Sequence, residues 1–365
     1  MKLLLPLLLI APLAIRSQTG SDTPKQLAHE EERVTIARNG GYFPVLVHLR
    51  SGELMAVLRG GAPHRGIAGR LDLVTSKDDG RSWSGPRTVI DSPEDDRNPA
   101  LGELKNGTIL LAYCILTGYD ATGLKSIPEK TRVLGVYVSR SMDQGKTWTP
   151  AQRSEAIYSF AGRGGASPYG KIIQLADGTV LMAVYCSVPG AGHGAYIFRS
   201  KDNGVTWEDP TRIASEANET ALALLRDGTI LAAVRSDKGE HLEITSSHDA
   251  GRTWTTPKQI TKDQEHPGDL IQLKDGRVLL TYGERNKPYG VQAMLSSDNG
   301  QTWDQNDKIV IASDGVNWDC GYPSSVQLAN GKIVTVYYRV GNPDDVPRST
   351  EATAVTWSAP SESSR

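Results

Sequence analysis

The sequence has little cysteine, little phenylalanine and almost no net charge. Its 365 residues include three cysteines and three phenylalanines, and 40 Lys and Arg nearly balance 42 Asp and Glu, for a formal net charge of −2. Three cysteines cannot form a disulfide framework, and no spacing in the chain suggests a zinc site. A near-zero net charge argues against binding nucleic acid through bulk electrostatics. No glycine-rich loop leads into a helix. We therefore expect no metal, no cofactor and no nucleic-acid partner.

Long apolar runs are also missing, except at the amino terminus. Residues 2–15, KLLLPLLLIAPLAI, are a lysine followed by an apolar stretch that is too short to span a bilayer and has the shape of a signal peptide. We predict a signal peptide over 1–17, a disordered lead-in over 18–30, one domain over 31–358 and a tail over 359–365. The protein is expected to be secreted or periplasmic, with no membrane span. The sequence leaves its oligomeric state open.

Glycine is plentiful, and six of the 37 glycines mark a repeat. The copies read LRSGELMAVL, LKNGTILLAY, LADGTVLMAV, LRDGTILAAV, LKDGRVLLTY and LANGKIVTVY, and their turn glycines are Gly52, Gly107, Gly178, Gly228, Gly276 and Gly331. A residue–glycine turn between apolar runs predicts a β-hairpin with a type I′ turn. Six hairpins about fifty residues apart predict an all-β fold, a six-bladed β-propeller of four-stranded antiparallel blades.

A second motif, S-x-D-x-G-x-x-W, recurs out of phase with the hairpins. Its five copies are Ser76–Trp83, Ser141–Trp148, Ser200–Trp207, Ser247–Trp254 and Ser296–Trp303. Each follows a strand-like run, so we predict a tight turn in which Asp caps backbone N–H groups and Trp packs between blades. No sixth copy follows the last strand, EATAVTW. We predict that ERVTIAR (32–38) supplies the outer strand of blade six and closes the ring.

Polar residues occupy one level of all six blades, where the innermost strands begin and an aliphatic core would otherwise continue. They include Tyr42, Arg97, Tyr169, Glu219, His266 and Tyr322. The second strands end at the same level with Arg59, Arg235 and Arg285. Convergent polar groups at the mouth of a channel predict a ligand site. The excess of arginine favours an anion, because the planar guanidinium binds a carboxylate through two parallel hydrogen bonds.

The whole mature chain resembles the sialidase superfamily of six-bladed propellers, whose S-x-D-x-G-x-x-W repeats are called Asp boxes. ANETALALLRDGTILAAVR (217–235) resembles the segment that carries a catalytic glutamate and a carboxylate-binding arginine, here Glu219 and Arg235. GERNKPYGVQAMLSSDNGQTW resembles the segment of a second such arginine, here Arg285, and GYPSSVQL resembles that of the nucleophilic tyrosine, here Tyr322. The resemblance implies an exo-acting glycosidase with a tyrosine nucleophile and a glutamate base, acting on a terminal acidic sugar such as sialic acid.

This chain lacks two sequence elements that are typical of the family, an arginine in blade one and an aspartate in the loop before the first Asp box. The family opens blade one with Phe/Tyr-Arg-Ile-Pro, whereas this chain has Gly41-Tyr42-Phe43-Pro44, so that Tyr42 takes the place of an arginine. The loop that carries the family's acid/base aspartate reads GGAPHRGIAGR (60–70) and offers His64 but no acidic residue. Asp95, Asp96 and Arg97, just before the second hairpin, are our candidates for the missing acid and the third cation.

These replacements keep two other functions open. One is a polysaccharide lyase or uronate-directed hydrolase with His64 or His266 as acid/base, and the other is a non-catalytic carbohydrate-binding propeller. In each case the expected partner is an acidic glycan. The long connection at 115–136 leaves the second strand of blade two at the functional end, so we expect it to influence specificity.

Overall fold

The computed structural model describes residues 26–162, 165–341 and 349–361. The predicted signal peptide lies outside these ranges. Of residues 26–30, which we assigned to a disordered lead-in, all but Ala28 lie in strands β1 (Gln26–Leu27) and β2 (His29–Arg38). Strand β1 is ordered by parallel pairing with Ile309 and Val310, which apolar periodicity does not predict.

The remaining strands form six small, mainly antiparallel sheets, each a blade whose first strand is innermost. Blade one contains β3 (Tyr42–His48), β4 (Leu54–Gly60), β5 (Arg70–Ser76) and β6 (Arg87–Ile90), and blade two contains β7 (Asp95–Glu103), β8 (Ile109–Thr117), β9 (Arg132–Ser141) and β10 (Gln152–Arg153). A short helix, α1 (Glu155–Phe160), leads to blade three. The inner strand of this blade is interrupted and comprises β11 (Ala166–Pro168), β12 (Gly170–Lys171) and β13 (Ile173–Gln174). It is followed by β14 (Val180–Val188), β15 (Gly192–Ser200) and β16 (Glu208–Ser215). Strand β12 pairs in parallel with β7 of blade two.

Blades four to six continue the same order. They contain β17 (Ala217–Leu224), β18 (Ile230–Ser236), β19 (Leu242–Ser247) and β20 (Lys258–Gln259); β21 (Glu265–Gln272), β22 (Val278–Glu284), β23 (Gly290–Ser296) and β24 (Ile309–Ala312); and β25 (Cys320–Gln327), β26 (Ile333–Val340) and β27 (Thr350–Ser358). Within the described ranges, no helix has the length and apolar character that a membrane crossing requires. The six-bladed all-β propeller is confirmed.

Blade six is completed by the amino-terminal strand, as predicted. Its sheet order is β2-β27-β26-β25, and β2 runs antiparallel to β27 from the pair His29–Ser358 to the pair Arg38–Glu351. This strand covers the free edge that β27 would otherwise present, so the ring closes without a covalent bond.

The hairpin turns differ from the predicted type I′ geometry. In the first turn, Gly52 N–H donates to Leu49 O at 2.8 Å and Leu49 N–H to Glu53 O at 2.9 Å. Gly52 has φ of +89°, whereas Ser51 is not at positive φ, and a type I′ turn needs two such residues. The loop is therefore a type I turn closed by a glycine bulge. In the second copy, Asn106 Oδ1 accepts from Thr108 N–H at 3.0 Å, which explains the Asp or Asn before most of these glycines.

The S-x-D-x-G-x-x-W turns have the predicted capping role. In the first copy, Asp78 Oδ1 accepts from the backbone N–H of Ser82 at 2.9 Å, and Ser76 Oγ accepts from Gly80 N–H at 2.9 Å. The side chain and backbone N–H of Ser82 lower the pKa of Asp78 to about 2. Trp83 Nε1 donates to Gly80 O at 2.9 Å, which holds the indole against the turn.

The hydrophobic core is divided among the blade interfaces. Between blades two and three, for example, Leu110 and Ala112 share a buried cluster with Met182 and Phe198. Each of the other five interfaces has a comparable cluster. The blades are therefore stabilised by burial against their neighbours, as in other radially repeated folds.

An inter-blade hydrogen bond that we did not predict recurs at the hairpin end. The residue before the hairpin leucine is Glu or Gln in four blades, and its side chain accepts the first turn N–H of the preceding blade. The pairs are Glu103 with Arg50, Gln174 with Lys105, Gln272 with Arg226, and Gln327 with Lys274, at 2.7–2.9 Å. The Gln272 Nε2 also donates to Gly276 O at 3.0 Å, so one side chain joins two hairpins.

Candidate active site

The site is built on bulges in the innermost strands. In five blades the pairing with the second strand skips two residues at the same level, and the skips lie between Tyr42 and Val45, Arg97 and Ala100, Ala217 and Thr220, Glu265 and Gly268, and Gly321 and Ser324. In four of these the second skipped residue is a proline, which has no N–H to lose from the ladder. Pro323, directly after Tyr322, is one of them. Bulges of this kind commonly redirect side chains beside active sites.

Three of the skipped residues adopt left-handed backbone conformations. Phe43, Asn98 and Tyr322 have φ of +53°, +52° and +51°. For a bulky residue this conformation is strained by roughly 1–3 kcal/mol, and such strain is often found at functional sites. The tertiary contacts of Phe43 and Tyr322 hold them in this conformation, since both rings are buried in one aromatic cluster with Tyr42 and Tyr338.

Tyr322 and Glu219 form the central pair of the site. The phenol of Tyr322 donates to Glu219 Oε1 at 2.6 Å, from blade six to blade four, and both residues are buried. Burial and the negative charge of Glu219 raise the pKa of Tyr322 above its ordinary value. The phenol is therefore protonated at neutral pH, with an acceptor for its proton already in hydrogen-bonding contact.

Arg235 holds the other side of this glutamate. Its Nη1 donates to Glu219 Oε2 at 2.6 Å, and its Nη2 donates to Glu240 Oε1 at 2.9 Å. Its Nε is buried without a partner. Burial opposes the charge of Arg235, but Glu219 and then Tyr322 outweigh it and raise its pKa. Glu240, which we did not predict, lies in the short turn after β18.

Arg285 and His266 have buried nitrogen atoms without hydrogen-bond partners close to Tyr322 and Glu240. Arg285 is buried, its Nε and Nη2 have no hydrogen-bond partner, and its guanidinium lies 5.4 Å from the ring centre of Tyr322. Both ring nitrogens of His266 are buried and unpartnered, with Nε2 3.5 Å from Glu240 Oε2 but not aligned for a hydrogen bond. Burial, Arg235 and Arg285 lower the pKa of His266, so that its ring is neutral. Buried donors without partners indicate a place for an acceptor-rich ligand.

Aromatic rings form one wall of the site. Phe43 lies 4.8 Å from Tyr322 and 5.8 Å from Tyr42, measured between ring centres. The hydroxyl of Tyr42 accepts from Thr350 Oγ1 at 2.8 Å, so the ring that we predicted to bind substrate is buried behind Phe43. Tyr169 is half-buried, 6.2 Å from Tyr322, and donates to Gly268 O at 3.2 Å.

Arg59 has no hydrogen-bond donor left for a ligand. It is fully buried, and its guanidinium donates twice to Asp95 Oδ1 and to the carbonyl oxygens of Ala62, Pro63 and Gly66. These bonds use all five of its N–H groups. Its visible role is to fix the 61–69 loop, which carries His64.

Asp96 and Arg97 leave their strand in different directions. The Asp96 carboxylate accepts from the backbone N–H and the hydroxyl of Ser92 at 2.7 and 2.9 Å, and burial raises its pKa to about 6. None of its hydrogen bonds in the described structure reaches the Tyr322–Glu219 pair. Arg97 does reach the aromatic wall, 5.5 Å from the ring centre of Phe43, while contacting Asp95 at 3.4 Å. Asp95, which we also named as a candidate for the missing acid, accepts from Tyr119 in the long connection at 2.5 Å through the same Oδ2 atom that Arg97 contacts, while its Oδ1 accepts from Arg59.

His64 is paired with a carboxylate from the other side of the ring seam. Its Nδ1 lies 2.9 Å from Asp319 Oδ1, and the same oxygen accepts from Tyr338 at 2.6 Å. The ring of His64 stands 5.1 Å from that of Phe43 and 5.6 Å from that of Tyr42. We predicted neither Asp319 nor Tyr338. Only their positions could have pointed to them. Asp319 directly precedes β25, the strand that carries Tyr322, and Tyr338 lies near the end of β26, which pairs with it.

Across the described residues, no group of three or more His, Cys, Asp or Glu side chains is arranged to hold a metal ion. The arrangement supplies a phenol with a base, three guanidinium groups and a His–Asp pair at one end of the propeller axis. That set of groups can bind an anion and carry out nucleophilic and proton-transfer chemistry.

A six-bladed propeller with these groups at one end of its axis is the architecture of the sialidase superfamily. The model for the BNR repeat-like domain matches residues 94–335, more than half of the chain, and the chain belongs to this family within that superfamily. The predicted superfamily is thus confirmed.

Individual relatives are distant. A sialidase from Bacteroides fragilis (strain YCH46) is 25% identical over 217 residues, which are 55% of this chain and 38% of that protein. The chain therefore spans less than half the length of this relative. A crystal structure of a protein of unknown function from Dyadobacter fermentans DSM 18053 has a TM-score of 0.78 and 27% identity, covering 91% of this chain and 99% of that one. The Hadza microbial sialidase Hz136 has a TM-score of 0.67 at 19% identity, covering 87% and 66%, and shows the fold alone.

Proposed function

We propose that the chain is an exo-acting glycosidase of sialidase type that removes a terminal acidic sugar, with Tyr322 as nucleophile and Glu219 as its base. The observation that carries this proposal is the 2.6 Å hydrogen bond from the buried phenol to the buried carboxylate, with two arginines beside it. A tyrosine nucleophile is the known exception to the two-carboxylate mechanism of glycosidases.

A substrate with a carboxylate on its reacting carbon explains why a phenol suits this site. An anionic Asp or Glu would repel such a substrate, whereas a protonated phenol carries no charge until it attacks. Because Glu219 already accepts the phenolic hydrogen bond, it can take the proton as the new bond forms. The unpartnered donors of Arg285 and Arg235 are placed to bind the substrate carboxylate.

Arg97 is the candidate for the third cation. It projects to the face of Phe43, next to the position where the family has an arginine and this chain has Tyr42. Its weak contact with Asp95 at 3.4 Å leaves donors for a ligand. Residues 118–131 reach the same rim, since Ile67 N–H donates to Gly123 O at 2.8 Å, and they are placed to influence which leaving group is accepted.

The test is turnover on a panel of terminal acidic sugars with fluorogenic leaving groups, including a sialoside, a uronide and a neutral galactoside as control. We expect release from at least one acidic substrate and none from the galactoside. Binding of an acidic glycan without any release would overturn the enzymatic proposal and favour the carbohydrate-binding propeller.

A second candidate is a lyase acting on uronate polymers. It is favoured by His64 and Tyr322, whose rings both contact Phe43, at 5.1 and 4.8 Å, because a histidine and a tyrosine can together remove and return protons. A lyase would create an unsaturated sugar that absorbs ultraviolet light, whereas the glycosidase creates none. Incubation with uronate polymers and a scan for new absorbance separates the two.

We also propose that the protein is exported from the cell or into the periplasm. The apolar amino-terminal stretch has the shape of a signal peptide, and terminal acidic sugars are displayed on extracellular glycans. We expect the mature protein in the culture medium or periplasm to lack roughly the first 17 residues. Protein sequencing of the mature amino terminus checks this.

A further inference from the structure

The His64–Asp319 contact joins two loops that approach the site from opposite sides of the ring seam. His64 lies in the loop after β4 of blade one, and Asp319 directly precedes β25 of blade six. The loop of His64 is held from beneath, because the buried Arg59 donates to the carbonyl oxygens of Ala62, Pro63 and Gly66. These bonds hold the backbone on both sides of His64, so the position of the histidine beside Phe43 and Asp319 is fixed.

Asp319 is placed to act as an anion towards this histidine. Burial alone would raise its pKa, but the hydrogen bonds from His64 and Tyr338, together with the charges of His64 and Arg285, lower it. Its side chain is 17% exposed, against 34% for His64. With Nδ1 turned to the carboxylate, the Nε2 atom of His64 is the nitrogen left for substrate.

The environment of His64 supports a proton-transfer role. Tyr42 and Phe43 pack on its ring from blade one, Asp319 and Tyr338 face it from blade six, and Arg285 acts on Asp319 from blade five. Phe43 also contacts Tyr322 at 4.8 Å, so one ring separates the histidine from the nucleophile. A glycosidic oxygen leaving the sugar above Tyr322 would lie on this side of the site.

We propose that Asp319 is the positioning residue of a His64–Asp319 pair that serves as the acid/base of this enzyme in place of a carboxylic acid, an inference that rests on the proposed glycosidase function. Tyr338 shares the carboxylate oxygen and keeps Asp319 in position. The pair supplies the element that the loop over 60–70 otherwise lacks, and imidazole is the side chain that most often transfers protons in catalysis.

The proton and electron balance is complete without a further reactant. In the first step, protonated His64 gives its Nε2 proton to the glycosidic oxygen, which leaves with the bonding electron pair, while the phenolic oxygen of Tyr322 bonds to the anomeric carbon and Glu219 takes the phenolic proton. In the second step, neutral His64 takes a proton from water, whose oxygen attacks the anomeric carbon. Tyr322 then leaves with the electron pair of that bond and recovers its proton from Glu219.

The experiment compares two substrates with the same acidic sugar, one with a sugar leaving group and one with an activated phenol. We expect His64→Ala to slow the first by about 10²–10⁴-fold, the usual contribution of acid catalysis, and the second far less, since a good leaving group needs no proton. Asp319→Asn should lower kcat on the first substrate, leave KM nearly unchanged and shift the alkaline limb of the pH profile to lower pH, because a neutral amide no longer stabilises the imidazolium.

Asp314→Asn is the matched control, because Asp314, in the loop between β24 and β25, also accepts from a buried tyrosine, Tyr337 at 2.8 Å, but its other side-chain hydrogen bond comes from Arg33 in β2, the outermost strand of blade six. It should leave the pH profile of turnover in place. A structural role for Asp319 would slow both substrates equally without moving that profile, and this result would overturn the inference. Equal losses on both substrates in His64→Ala would do the same while leaving the Tyr322 mechanism intact. Absence of all turnover in the wild-type protein would instead overturn the proposed function itself.

Discussion

Replacing Arg285 by methionine should make the ligand-free protein more stable. Its Nε and Nη2 are buried without partners, and each buried, unsatisfied donor costs about 1–3 kcal/mol. The guanidinium lies 5.4 Å from the ring of Tyr322 and 5.9 Å from that of Trp318, contacts that each contribute about 0.5–1 kcal/mol. Methionine has a comparable length and no polar donors, so the net gain in the free energy of unfolding should be about 1–4 kcal/mol.

Arg59→Met is the control for this substitution. Arg59 is also buried, but all its donors are bonded, to Asp95 and three carbonyl oxygens, and removing one partner of a buried ion pair costs about 3–5 kcal/mol. Urea unfolding of the two variants beside the wild type measures both values. A loss of stability in Arg285→Met as large as that in Arg59→Met would refute this prediction. Arg285→Met should also abolish the rise in Tm that a bound acidic sugar gives the wild-type protein.

Two further predictions concern stability. Burial raises the pKa of Glu284 to about 7, above its value in the unfolded chain, so Glu284 lowers stability as pH rises from about 4.5 to 7. Glu284→Gln should therefore be more stable than the wild type at pH 8, by up to about 3 kcal/mol, and equally stable at pH 4, and identical pH–stability curves would contradict this. Gln272→Leu should cost about 1–2 kcal/mol by removing the bonds to Arg226 and Gly276, whereas Gln272→Glu should cost less, since Glu103 fills the equivalent place in blade two. Equal thermal denaturation losses in the two variants would refute the acceptor role.

The repeated elements could be predicted because local chemistry dictates them. The hairpin glycines require positive φ, and Asp78 and its equivalents cap their own turns, so each repeat is recognisable without its neighbours. The turn type was wrong because the same residue–glycine pair fits both a type I′ turn and a type I turn with a glycine bulge.

The level of the site was predictable, but the direction of its side chains was not. A two-residue bulge interrupts the alternation of a strand, so the sequence could not decide between Tyr42 and Phe43 as the residue nearest to Tyr322. Asp319 and Glu240 lie in loops whose lengths and sequences differ from blade to blade. Asp319 contacts His64, which is 255 residues away in the sequence, and Glu240 contacts Arg235 across a turn. Neither contact can be read from the repeat pattern.

The central claim is that Tyr322 and Glu219 act as one nucleophile–base unit. It is tested most directly by the turnover of Tyr322→Phe, Glu219→Gln and the double variant on the acidic glycoside that the wild type cleaves. Tyr282→Phe serves as control, because Tyr282 is a buried tyrosine whose hydroxyl bonds Gln292 at 3.2 Å in the interior of blade five. We expect each single change to reduce kcat by several powers of ten, the double variant to be little worse than either, and the control to remain active. Near-normal turnover in Tyr322→Phe would contradict the account.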